Sequence, residues 1–110
     1  KHLPGFIEAT DLLNKKNIKK VICISVNDPF VMDAWGKTHQ AQNKILMVSD
    51  YNANFTKEIG AEVDLNKRGL GIRSCRYTML IEKGIVLKIS KEEVAGKCES
   101  TAAYNFLKEI

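Results

Sequence analysis

An α/β fold in one domain spanning residues 1–110 is predicted by three observations. Short β-branched apolar runs alternate with segments whose apolar residues recur at helical spacing. Two strand-like runs late in the chain are separated only by Lys83-Gly84, and an amphipathic segment follows them. Composition agrees: 45% of the 110 residues are hydrophobic and 27% charged, the balance of a globular chain with one core.

The elements follow in order. After Pro4-Gly5, the residues Phe6, Ile7, Ala9, Leu12 and Leu13 repeat at helical spacing, and Asn14-Lys15-Lys16-Asn17 closes that helix. Residues 21–26 form a continuous β-branched run, as expected of a strand covered on both faces near the middle of a parallel sheet. Asn27-Asp28-Pro29 supplies a capping side chain and a proline at the first helical position, and Val31, Ala34, Trp35 and Thr38 then fall on one helix face. Residues 45–48 read as a second buried strand, and residues 50–54 as a turn into a short helix over 55–59.

Gly69 and Gly71 mark a loop. Beyond it, residues 76–82 and 85–90 are two antiparallel strands whose Lys83-Gly84 connection is a tight hairpin signal. Ser100 or Thr101 is placed to cap a last helix, in which Ala103, Phe106, Leu107 and Ile110 make one apolar stripe. An α/β layer followed by a hairpin and a helix is a thioredoxin-like order of elements.

Several function classes are excluded. The net charge of +4 comes from scattered lysines, and the one cluster, Lys15, Lys16, Lys19 and Lys20, reads as a solvated helix end. It has neither interleaved aromatics nor helix-turn-helix spacing beside it, so no nucleic acid is expected as a partner. No apolar run reaches the roughly 18 residues of a membrane span, and the first residues do not read as a signal peptide. The glycines Gly69 and Gly71 lack the third glycine of a phosphate loop. Three cysteines at 23, 75 and 98 suit neither a disulfide framework nor paired metal ligands, so no metal or organic cofactor is expected and a reducing compartment fits.

Four segments carry a family resemblance across essentially the whole chain. They are Lys1-His2-Leu3-Pro4-Gly5-Phe6; Ser25-Val26-Asn27-Asp28-Pro29-Phe30-Val31 with Ala34-Trp35-Gly36; residues 46–50 with Phe55 onward; and Gly71-Ile72-Arg73-Ser74-Cys75-Arg76-Tyr77-Thr78-Met79. Together they resemble the type-five peroxiredoxins, thiol peroxidases with a thioredoxin-like three-layer fold. The resemblance places the family's reactive cysteine about three residues before Lys1, as the nucleophile that attacks the peroxide. It implies a chain without the N-terminal strands and the central strand of that fold, leaving an apolar edge beside residues 21–26.

The resemblance also implies roles for residues. Arg76 would line the peroxide pocket, where a permanently charged planar fork favours the thiolate and holds the developing charge on the leaving oxygen. His2 would lie one helical turn beyond the reactive cysteine, as a residue that tunes the pocket. Cys98 stands near the place of a resolving cysteine in some members, offset by about two residues, and would condense with the sulfenic acid. Arg73 is a weaker candidate, for the dimer face or for pairing with a carboxylate. Cys23 reads as a small buried hydrophobe, and Cys75 is turned away from Arg76 by strand alternation. His39 is expected on the polar side of its helix, whereas Phe30, Met32 and Trp35 belong to the core or a dimer surface.

The function implied is reduction of hydrogen peroxide and alkyl hydroperoxides, with glutaredoxin, glutathione or thioredoxin as reductant, in a homodimer. The expected compartment is the cytoplasm, or a mitochondrion or other organelle if a targeting segment precedes Lys1. The alternative is a catalytically inactive thioredoxin-like module used for dimerisation or partner binding.

Overall fold

The computed structural model describes residues 2–93 and 97–110. Lys1, with which the first of the resembling segments begins, lies outside the described residues. Helix α1 (His2–Glu8) runs into α2 (Thr10–Lys15) through Ala9, earlier than the expected start after Pro4-Gly5. Pro4 is tolerated because it lies in the first turn, where an amide N–H has no carbonyl within the helix to reach. The i to i−4 pattern persists across the join, with Ala9 N–H donating to Gly5 O at 3.1 Å and Leu13 N–H to Ala9 O at 2.9 Å. The Thr10 hydroxyl takes the Ile7 carbonyl at 2.6 Å, the local competition that threonine brings to helix interiors.

Strands β1 (Ile22–Ser25) and β2 (Leu46–Ser49) pair in parallel, Ile22 opposite Leu46 and Ser25 opposite Ser49. The expectation of a strand covered on both faces is corrected here. Cys23 and Met47 turn into a core cluster, whereas Ile22 and Leu46 are 54% and 57% exposed. Among the described residues β1 pairs with β2 alone, and nothing covers that end of the other face.

Between them, α3 (Pro29–Thr38) begins as its sequence directs. Pro29 occupies the first turn, and the Asp28 carboxylate accepts the Val31 N–H at 2.8 Å. Its inward face differs from the expected Val31, Ala34, Trp35 and Thr38. Met32 and Gly36 are the buried positions, Trp35 is half-buried, and Val31 is exposed. Gly36 decides this, because a Cβ there would stand 2.7 Å from Met47 Cγ; the bare backbone lets the helix settle onto β2. His39 is exposed at the end of α3, as expected.

Helix α4 (Asn54–Glu58) follows, and then comes a hairpin read as loop from sequence. Strand β3 (Glu62–Asp64) pairs antiparallel with β4 (Ile72–Ser74), three residues each, around a 3₁₀ turn at Asn66–Arg68. Strands β5 (Tyr77–Glu82) and β6 (Ile85–Lys91) make the second hairpin, with a register shift between Leu80 and Ile81. Its turn residues Lys83 and Gly84 have φ of 51° and 79°, the two left-handed positions of a type I′ turn.

Helix α5 (Ala103–Leu107) ends the described chain. Neither Ser100 nor Thr101 caps it by side chain, contrary to the sequence reading; Ala102 holds the cap position. Its apolar stripe is as read, with Ala103, Phe106 and Leu107 buried. Two core clusters result. Ala9, Leu13, Ala103 and Leu107 join α1–α2 to α5, and Leu3, Ala41 and Ile45 join α1 to the parallel pair. Phe6 and Val21 pack against both clusters, so α1 is the shared wall.

Candidate functional site

The side chains with a chemical role in prospect converge where α1, the open end of the β5–β6 hairpin and the segment before α5 meet. His2 lies in the first turn of α1, its ring edge-on to Phe6 with centroids 5.5 Å apart. Its Nε2 lies 3.0 Å from the Thr101 carbonyl oxygen and 3.1 Å from Thr78 Oγ1. A carbonyl only accepts, so Nε2 carries the proton and Nδ1 is the acceptor of the neutral ring. Burial lowers the His2 pKa, and the Arg76 charge adds to this; the Thr101 carbonyl and Glu92 oppose it without prevailing.

Arg76 precedes β5. Its carbonyl accepts the Glu92 N–H at 2.9 Å, extending the hairpin ladder by one bond. Its Nη1 donates to the Lys97 carbonyl at 2.6 Å, one of the guanidinium's five N–H donors. Strand alternation puts Thr78 on the same face as Arg76, and the Thr78 hydroxyl donates to the Thr101 carbonyl at 2.7 Å. Arg76, Thr78 and His2 are thus tied to one short segment, residues 97–101, through the carbonyls of Lys97 and Thr101.

Glu92, just beyond β6, binds the same segment by its N–H groups. Its Oε2 accepts the Glu99 N–H at 2.9 Å, the Thr101 N–H at 2.9 Å and the Thr101 hydroxyl at 2.7 Å. These bonds, the Thr101 hydroxyl foremost, hold the carboxyl down to about 2. Sequence reasoning missed Glu92, Thr78 and Thr101 as site residues. Alternation from Arg76 is a signal that could have found Thr78.

The cysteines are dispersed. Cys98 lies within the 97–101 segment at 7% exposure. Cys23 is half-buried on β1, where burial alone pushes its thiol up to about 11, the state of an inert thiol. Cys75 precedes Arg76 and is half-buried. Burial, then Asp50 and these two thiols, pushes the Tyr77 phenol up to about 12, and its hydroxyl has no hydrogen-bond partner among the described residues. Among the described residues Arg73 does not pair with a carboxylate. It donates to the carbonyls of Leu70 at 2.7 Å and Val26 at 2.8 Å and to Asn27 Oδ1 at 3.0 Å, tying β4 to the loop before α3.

A groove between α3 and β2, lined by Met32, Gly36, Ala41, Leu46 and Met47, shares no residue with this network. Apart from the ion-paired Asp33 and Lys37 at 2.9 Å, it is lined by apolar or neutral side chains and has no nucleophilic cysteine. The shallow concavity formed by Lys91, Glu92, Glu93, Lys97, Glu99 and Ser100 borders the network directly, so the site is assigned to that side.

Comparison with known proteins matches residues 1–107 to the family model described as Redoxin. Peroxiredoxin-2B of Arabidopsis thaliana is 39% identical over 110 residues, covering 100% of this chain and 67% of the relative. The chloroplastic Peroxiredoxin-2E of the same plant is 40% identical over 112 residues, covering 100% of this chain and 47% of the relative. Among solved structures, reduced Prx3 from Vibrio vulnificus in complex with hydrogen peroxide is 41% identical with a TM-score of 0.91, covering 98% of this chain and 65% of that one. The chain therefore spans about two thirds of the length of Peroxiredoxin-2B and of the Vibrio protein, and about half of the chloroplastic relative.

Proposed function

Because this chain belongs to the redoxin family as a peroxiredoxin, we propose that the complete protein is a thiol-dependent peroxidase whose pocket is built in part by Arg76 and His2. The observation that carries the reading is their attachment to one segment: Arg76 to the Lys97 carbonyl and His2 to the Thr101 carbonyl.

The nucleophile is a cysteine thiolate upstream of Lys1, and its sulfur attacks one oxygen of a hydroperoxide. The sulfur–oxygen bond forms as the oxygen–oxygen bond breaks. Sulfur is oxidised to sulfenic acid, and the departing oxide takes up a proton to become water or an alcohol. Arg76 has donors beyond the one given to Lys97, and a permanent charge suited to the oxygen on which charge builds. His2, neutral at Nδ1, adds no second positive charge to the pocket and fixes the junction of α1 with the 97–101 segment.

Two equivalents of a thiol, from glutathione, glutaredoxin or thioredoxin, return the sulfenic acid to the thiol with release of water and a disulfide. Cys98 is the candidate second cysteine of that cycle. At 7% exposure it reaches an oxidised partner only when the 97–101 segment opens. The protein works as a homodimer in the cytoplasm or, like the relative whose name is chloroplastic, in an organelle. No described helix is long and apolar enough to cross a membrane.

The test is stopped-flow peroxide consumption by the complete protein and by Arg76→Ala. Loss of one preorganised donor group is expected to lower the second-order rate constant by about 10²–10³ while the thermal midpoint stays put. An unchanged rate rejects the assignment of Arg76, and no consumption by the unsubstituted protein rejects the reading.

A further inference from the structure

We propose that Glu92 is a positioning residue for peroxide reduction: its carboxylate clasps residues 97–101 by their N–H groups and so aims the carbonyls of Lys97 and Thr101 at Arg76 and His2. The proposal rests on the peroxidase reading.

The geometry is two-sided. On one side of the segment a single oxygen, Glu92 Oε2, takes three donors, at 2.9 Å from Glu99 N, 2.9 Å from Thr101 N and 2.7 Å from Thr101 Oγ1. On the other, the Lys97 carbonyl takes Arg76 Nη1 at 2.6 Å, and the Thr101 carbonyl takes His2 Nε2 at 3.0 Å and Thr78 Oγ1 at 2.7 Å. Thr101 is fully buried and held on both sides. Charge-assisted bonds from backbone donors are about twice as strong as neutral ones, so the carboxylate is the firmest anchor that segment has.

Glu92 is also tied to the residue it serves. Its own N–H donates to the Arg76 carbonyl at 2.9 Å, which fixes the backbone of the arginine while the clasp fixes the acceptor for its side chain. Without the carboxylate, the segment keeps its bonds to the groups it is meant to orient and, at the Glu99 carbonyl, local bonds from Asn105 Nδ2 at 2.7 Å and the Ala102 N–H at 3.1 Å, none of which fixes the Lys97 or Thr101 carbonyl from its far side. Arg76 would then sample positions about an ångström apart, a displacement that costs about a hundredfold in rate where a transition state must be met.

The experiment is a double-mutant cycle on the complete protein, reading the rate constant for peroxide reduction and the alkylation rate of Cys98. Glu92→Ala is expected to slow reduction about tenfold or more with Arg76 present and less than about twofold in an Arg76→Ala background, because residues acting through one another are not additive. Glu92→Gln keeps one neutral acceptor and is expected to fall between Glu92→Ala and the unsubstituted protein. It serves in place of Glu92→Ala should that variant not fold. Cys98, released with its segment, is expected to alkylate about tenfold faster in either variant at matched folded fraction.

Peroxide consumption by the unsubstituted protein with unchanged rates in the Glu92 variants overturns the role alone. Equal losses in both backgrounds overturn it too, since they show Glu92 acting independently of Arg76. No consumption by the unsubstituted protein overturns the peroxidase reading and this role with it.

Discussion

Asp50 is bound twice by one residue, Thr56, whose N–H donates to Asp50 Oδ2 at 2.8 Å and whose hydroxyl donates to the same oxygen at 2.5 Å. The Phe55 N–H reaches Oδ1 at 3.2 Å. Desolvation pushes the carboxyl up, but the Thr56 and Phe55 donors together outweigh it and hold the group below the usual carboxylate range. The pair pins α4 to the end of β2, and Thr56 is 2% exposed. Asp50→Ala is expected to cost about 1.5–3 kcal/mol, the range for hydrogen bonds to a charged group, read as a lower midpoint in urea denaturation. Peroxide reduction per folded molecule should be unaffected.

Glu92 gives a pH signature. Its carboxyl is depressed from the ordinary 4.5 to about 2 in the folded protein. A depressed carboxylate contributes stability that is fully present above the unfolded value and is lost as pH falls through the folded one. The stability difference between the unsubstituted protein and Glu92→Gln should therefore be constant above about 4.5 and shrink as pH falls from there through about 2. Denaturant titrations at several acid pH values measure it; a difference that stays undiminished at the acid end contradicts the bonding described.

Cys98 should respond late in the catalytic cycle. Its burial means that sulfenic acid forms before any disulfide that includes it, so oxidation by one equivalent of peroxide should first add the mass of one oxygen. Loss of water into a disulfide should follow more slowly. Rapid-quench mass spectrometry resolves the order, and simultaneous appearance of the disulfide would mean that the 97–101 segment is already open in solution.

Gly36 against Met47 sets the seating of α3. A Cβ at residue 36 would meet Met47 Cγ at 2.7 Å, so Gly36→Ala forces the methionine or the helix to shift. Overpacking of this kind costs about 1–3 kcal/mol, offset by about 1 kcal/mol of helix propensity gained. A net loss of thermal stability is expected, and combining it with Met47→Ala should give a loss smaller than the sum of the two single changes.

The parallel pair was legible because residues 22–25 and 46–48 are β-branched or apolar runs that few helices would carry, and α3 because Asp28-Pro29 is a strong start signal. The inward face of α3 was not, since spacing identifies apolar stripes without saying which one meets β2; a residue with no side chain, Gly36, decided it. Strands β3 and β4 are too short for a two-residue period to register. In the site, Arg76 was legible through its motif and Thr78 was within reach of alternation. Glu92 was not, because two of its three donors are backbone N–H groups seven and nine residues away, which leave no mark in a sequence, and the third is a hydroxyl nine residues away that no local pattern pairs with it.

His2 meets Thr78 across 76 residues and Thr101 across 99. A contact so distant along the chain carries a large loop-closure cost that nearby contacts do not. During synthesis, the β5–β6 hairpin and its type I′ turn can form from neighbouring residues as they emerge, whereas the junction of His2 with residue 101 must wait until almost all of this sequence has left the ribosome. Folding of this region is therefore expected to run from scaffold to pocket, so that a nascent chain carries its candidate site unassembled until α5 is available to dock.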